Sequence, residues 1–135
     1  MIGGCVYASK LYLERRGCPK SPDAIAGHDV LAYEGLGGMP GFEWLRDAAR
    51  RTHIAFRADD PEALVSAATA GLGLCAVPCL LGDPEPMLVR VETLGFSRCD
   101  LFLVTREEIR GTPRIRAVSE FVAELFQRNR AMVEG

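Results

Sequence analysis

Apolar residues in this chain gather in short bursts separated by polar or glycine-rich breaks, and the spacing within the bursts changes along the way. GGCVYA, residues 3–8, predicts a short strand or strand end. Ser9 then stands where an N-cap would for KLYLERR, with Leu11 and Tyr12 or Leu13 inward and Gly17 as the stop. In SPDAIAG, Ser21 is placed to cap, Pro22 suits a first helical position, and Gly27 ends a turn or two. DVLAY (29–33) predicts an apolar strand, and the alternation of HIAFR (53–57) predicts another. Between them, GLGGMPG (35–41) is a loop with the composition of a mobile one. FEWLRDAARR (42–51) puts Phe42, Leu45 and Ala49 on one helical face, a strand over 42–45 being the alternative.

The stretch ADDPEALVSAATAGLGLCAVP (58–78) carries the strongest local signals. A residue before proline is pushed out of helical geometry, so Asp60 reads as an N-cap, with Pro61 first in the helix and Glu62 near its positive end. The helix spans 61–70 and Gly71 stops it. LGLCAVP follows as a continuous apolar run, the pattern of a strand covered on both faces. CLLGDPEP predicts a short turn of helix and a loop, MLVRV (87–91) a strand, and LFLVT (101–105) another. From Pro113 a long helix is expected, with Ile115, Val118, Phe121, Val122, Leu125 and Phe126 at i, i+3, i+4 spacing. The tail RNRAMVEG is expected to fray. Strands alternating with helices indicate an α/β fold.

Composition narrows the picture. A chain of 135 residues, 48% apolar, suits one domain with a substantial core. Fourteen of its 16 basic residues are arginine, but 18 acidic residues are interspersed and the net charge is −2, unlike a free-standing nucleic-acid binder. No apolar run reaches the ~18 residues of a membrane span, and the first residues lack a secretory signal pattern. Five cysteines, an odd number with three in apolar surroundings, fit reduced thiols in a cytoplasmic protein.

Gly71, Gly73 and Ala76 share the G-x-G-x-x-A spacing of dinucleotide loops. That loop must follow a strand and open a helix, so that phosphate meets the helix N-terminus. Here the glycines close a helix and open a strand, which makes them a stop and a packing contact. Cys75 and Cys79 lack the further ligands of a metal site, and His28 and His53 read as surface or turn residues. Asp59–Asp60 and Glu107–Glu108 read as solvated turn charges and a cap. No catalytic residue, metal or cofactor is expected. In an open α/β sheet, ligands sit outside the carboxyl ends of the strands, which draws attention to Arg57, Ala58, Asp59 and the amides beyond Pro61. Capping by Asp60 and pairing of Arg57 with Asp59 account for the same residues equally well.

Taken in order, VYASKLYLERRGCPKSPDAIAGHDVLAY, a Trp-containing segment, RADDPEALVSAATAGLGLCAVP, LVRV, LFLVT and PRIRAVSEFVAEL resemble the latter part of the effector-binding (substrate-binding) domain of LysR-type transcriptional regulators. The likeness covers about residues 5–128. It implies a type 2 periplasmic-binding-protein-like α/β fold, here incomplete: the second subdomain plus the C-terminal strand and helix of the first. Residues of about 9–93 would form the second subdomain, 5–9 and 94–100 the crossover hinge, and 101–128 the return segment of the first subdomain. The helix-turn-helix that contacts DNA in such regulators has no counterpart in the sequence, so no direct DNA contact is expected. A small-molecule inducer would bind against Ser9, Trp44, Phe56, Arg57, Ala58, Asp59 and Pro78, without catalysis. A truncated interaction or oligomerisation fragment modulating a full-length regulator is the alternative, and a small enzyme using a Cys–His pair or Asp59/Asp60 a third. The six apolar side chains of the 113–126 helix, worth roughly 1.5–3 kcal/mol each when buried, call for a partner chain, an exchange between copies or a docking onto their own chain.

Overall fold

The computed structural model describes residues 1–35, 38–48 and 50–135. Residues 36 and 37 of the glycine-rich loop, and Ala49 of the expected helical face, lie outside the described residues.

Strand β1 (Ile2–Ser9) organises the sheet. A chain that stays apolar from residue 3 to residue 8 belongs where both faces are covered, and every residue from Gly3 to Ser9 is buried. On one side β1 pairs antiparallel with β4 (Cys75–Pro78), Cys5 opposite Val77 and Tyr7 opposite Cys75. Its other side is shared by β6 (Phe96–Cys99), with Ile2 opposite Cys99, and β5 (Leu88–Arg90), with Ser9 opposite Leu88; both are antiparallel to it. β2 (Asp29–Tyr33) and β3 (His53–Ala58) form a parallel pair. They join the rest through Leu74, whose N–H donates to the Asp29 carbonyl at 2.9 Å and whose carbonyl accepts from the Leu31 N–H at 2.8 Å.

Helices cover both faces. Cys5 and Tyr7 point to the side where α3 (Pro61–Thr69) brings Leu64, Val65, Ala67 and Ala68. Val6 and Ala8 point to the other, against Tyr12 of α1 (Lys10–Arg16), Ile25 of a 3-10 turn (Pro22–Gly27), and Leu45 of α2 (Glu43–Ala48). The expected caps are present: Ser9 Oγ accepts from the Tyr12 N–H at 3.1 Å, and Asp60 Oδ1 from the Glu62 N–H at 3.1 Å. Gly71, at φ +82°, ends α3. A Cβ on Gly73 would collide with the Asp29 carbonyl, so this glycine lets β4's approach press against β2.

Several expectations are corrected. Tyr12, not Leu11, is the inward residue of α1; Leu11 is exposed. Ser21 makes no side-chain cap, its turn being 3-10 rather than α-helical. His28 is buried. Leu72 of LGLCAVP is exposed in the turn before β4. After α4 (Cys79–Gly82), β5 and β6, residues 101–105 form no strand and lead, largely exposed, to α5 (Glu107–Arg110). A strand needs a neighbour, and none of the described residues offers these an edge. The expected long helix is α6 (Pro113–Arg128), with none of its residues buried. The tail does not fray. Residues 130–134 form α7 (Arg130–Glu134), which packs on α4 and β1 and buries Val133.

Candidate functional site at the carboxyl edge of the sheet

β2, β3 and β4 run in one direction, so Tyr33, Ala58 and Pro78 finish at the same edge of the sheet. The start of α3 and residues 38–41 lie beside it. Two adjoining cavities of about 80 and 90 Å³ open here, and Tyr33, Gly38, Met39 and Ala76 line both. The first extends to Phe42, Glu43 and Arg46; the second is walled by Pro61, Leu64 and Pro78.

Residues 38–41 are laid across the crossing strands. A Cβ on Gly4 would overlap the Met39 side chain, so that thioether rests on the β1 backbone. Ser97 Oγ of β6 donates to the Pro40 carbonyl at 2.6 Å. Gly41, at φ +87°, supplies a turn few other residues adopt and leaves room for the Ser97 side chain. The Glu43 carboxylate accepts the Gly41 N–H at 3.2 Å. Its own backbone N–H, that of Gly41 and the charge of Arg46 hold it below the usual carboxylate range.

The sequence-predicted residues are distributed unevenly around this edge. Pro78 lines a cavity. Phe56, Arg57 and Ala58 lie on β3 towards its carboxyl end, with Asp59 exposed just beyond it. Arg57 donates to Glu34 at 2.7 Å rather than pairing with Asp59, and the Ala58 carbonyl accepts the Glu34 N–H at 2.8 Å. Trp44 stands behind the lining, its ring centroid 6.4 Å from that of Phe42. Ser9 is at the opposite end of β1, because the antiparallel pairing sets Gly4, not Ser9, opposite Pro78. It is fully buried and its hydroxyl is engaged by the α1 cap. Tyr33, Met39 and Arg46 were not singled out from the sequence, and Pro61 was noted only as the first residue of α3. Of these, only Met39 carried a local signal, as the one large flexible side chain among glycines that leave it room.

The other chemistry-bearing groups are engaged by neighbours within the fold. Tyr7 donates to Asp83 Oδ1 at 2.7 Å, and Arg90 grips the same carboxylate through two nitrogens at 2.9 and 2.5 Å. Arg90 holds Asp83 below the usual carboxylate range. Burial, with hydrogen bonds to Cys79 and Asp83, pushes the Tyr7 hydroxyl upward. Burial, aided by neighbouring Cys79, pushes Cys5 up to about 11, and burial alone pushes Cys75 up to about 12. Both are thiols, not thiolates, at neutral pH. Tyr12 Oη accepts the Asp29 N–H at 2.8 Å and shares a hydrogen bond of 3.2 Å with His28 Nδ1. Burial lowers the His28 pKa. The buried cysteines pack on the α3 side of the sheet and the Tyr12–His28 pair on the other, so they do not meet. Among the described residues no cluster of three metal-ligating side chains forms, and no helix is long and apolar enough to cross a membrane.

The LysR substrate binding domain model matches residues 4–127. The chain belongs to that family. Its fold is similar to that of the regulatory domain of CrgA, a LysR-type transcriptional regulator from Neisseria meningitidis, with TM-score 0.65 and 21% identity over 91% of this chain and 64% of that one. It is similar to a second structure of CrgA, with TM-score 0.67 and 22% identity, over 91% of this chain and 44% of that one. An ancestral arginine-binding protein bound to arginine shares the fold at TM-score 0.52 and 11% identity, over 97% of this chain and 57% of that one. No curated protein matches. The chain therefore spans less than two thirds of each of these structures, and the expected α/β, periplasmic-binding-protein-like architecture of the LysR family is the one observed.

Proposed function

We propose that this chain forms one wall of a ligand-sensing module, in which a small-molecule inducer settles on the carboxyl edge of the sheet. The carrying observation is the pair of adjoining cavities bounded by Tyr33, Met39, Pro61 and Pro78 in a member of the LysR substrate-binding family. At about 80 and 90 Å³ they fall well short of the roughly 300 Å³ at which small-molecule sites begin. A second wall is therefore part of the proposal. In this reading residues of about 9–93 are the second subdomain, 5–9 and 94–100 the crossover hinge, and 101–128 return to the first subdomain.

Phe56, Arg57, Ala58, Asp59 and Pro78 are the proposed contacts at this edge, with Trp44 supporting Phe42 from behind and Ser9 acting through the α1 cap. Arg46, which lines the first cavity, gives an anionic ligand a favourable partner. Inducer affinity for the closed arrangement would shift the population of attached domains, a regulatory and non-catalytic role. Calorimetry with a panel of small carboxylates tests this, using the domain completed by the missing part of a LysR effector domain. Saturable heat that Met39→Trp or Pro78→Arg removes supports the reading; silence across the panel in the completed domain counts against it.

A further inference from the structure

The two carboxyl-edge cavities differ in charge. The first is lined by apolar Val30, Leu45 and Ala76 and carries Glu43 and Arg46, three residues apart on α2. Side chains at that spacing share one face of a helix, about 5–6 Å apart at Cβ. Both are exposed, so they form the rim. The Glu43 carboxylate takes the Gly41 N–H at 3.2 Å, and such a group has roughly four acceptor positions in all. Among the described residues Arg46 makes no ion pair. The second cavity has no charged lining residue: Pro61, Leu64 and Pro78 wall it. Met39 borders both, and its flexible thioether chain can give way between them.

We propose, on the footing that this edge senses an inducer, that the inducer is an α-amino acid with an unbranched apolar side chain. Such a molecule carries its ammonium and its carboxylate on one carbon, so two opposite charges side by side on a helix take both at once. The ammonium donates to the Glu43 carboxylate, and the Arg46 guanidinium donates to the ligand carboxylate. The side chain runs past Met39 towards Pro61, Leu64 and Pro78. Cavities of about 80 and 90 Å³ suit a chain a few atoms long better than a bulky group. A plain carboxylate would satisfy Arg46 but set its charge beside Glu43, and a plain amine would do the reverse.

Nuclear magnetic resonance titration of the 135-residue chain tests it, because Glu43, Arg46 and Met39 all belong to this chain. L-Norleucine, hexanoate and pentylamine share one apolar tail and differ in the charges they carry. Norleucine is expected to shift amide signals between Met39 and Arg46 with a Kd on the order of 1–10 mM, the range so few atoms reach. Hexanoate and pentylamine should each bind about fivefold more weakly. Glu43→Gln should abolish the advantage of norleucine over hexanoate, and Arg46→Gln its advantage over pentylamine, with far-ultraviolet circular dichroism unchanged. Hexanoate or pentylamine binding as tightly as norleucine to the wild-type chain overturns the proposal and leaves inducer sensing standing. Norleucine that shifts no signal near α2 overturns it as well; whether sensing itself fails is then read from the completed domain and its carboxylate panel.

Discussion

β1 and residues 101–105 are built from similar apolar material, yet one is the best-covered segment of the molecule and the other among the barest. Each residue of β1 has a partner: β4 on one side, β6 and then β5 on the other. No backbone partner reaches 101–105 among the described residues. The difference lies in the surroundings rather than in the residues, because strand propensity measures how well a side chain fits a pleated, covered surface. Stability should accordingly be concentrated around β1 and nearly absent around 101–105.

The largest effect should come from Leu74→Ala. It hollows the junction between the two parts of the sheet at a fully buried position and should cost about 2–5 kcal/mol in urea unfolding. Tyr12→Phe should cost about 1–3 kcal/mol, because the Asp29 N–H and His28 Nδ1 both lose their partner. The same pair gives stability a pH dependence. The folded His28 pKa lies below its ordinary 6.5, so the unfolded chain takes up the proton first as pH falls. Stability should be level above pH 6.5 and decline below it; His28→Asn should flatten that decline in melting curves taken across the range. Asp60→Ala, removing the α3 cap, should cost about 1 kcal/mol. Smallest is Leu103→Ser, for which no change in urea midpoint is expected in dilute protein. A large loss there would break the contrast with β1.

How much was legible follows the range of the forces involved. β2 and α3 were visible because strand periodicity, Asp60–Pro61 and Gly71 act within a few residues. The α/β class followed from their alternation. LFLVT misled because its composition describes a strand whose neighbour lies elsewhere. α7 was missed because Val133 is held by α4 and β1, far away in sequence. At the candidate site, the rule about strand ends pointed to the end of β3, while Pro78 came only with the family resemblance. The resemblance placed Ser9 there too, and nothing local reveals that β1 runs against β4. Glu34, which takes Arg57, is 23 residues distant from it, and Met39 gains its meaning only from resting on Gly4.

The pairing of β1 also bears on how the chain is made. Its eight residues leave the ribosome first among the strands described, yet their partners begin at Cys75 and end at Cys99. At 5–20 residues per second, the nascent chain carries this bare apolar segment for roughly 3–13 s before the first partner exists. The strand that is best protected in the finished molecule is thus the one most in need of a chaperone while it is being synthesised.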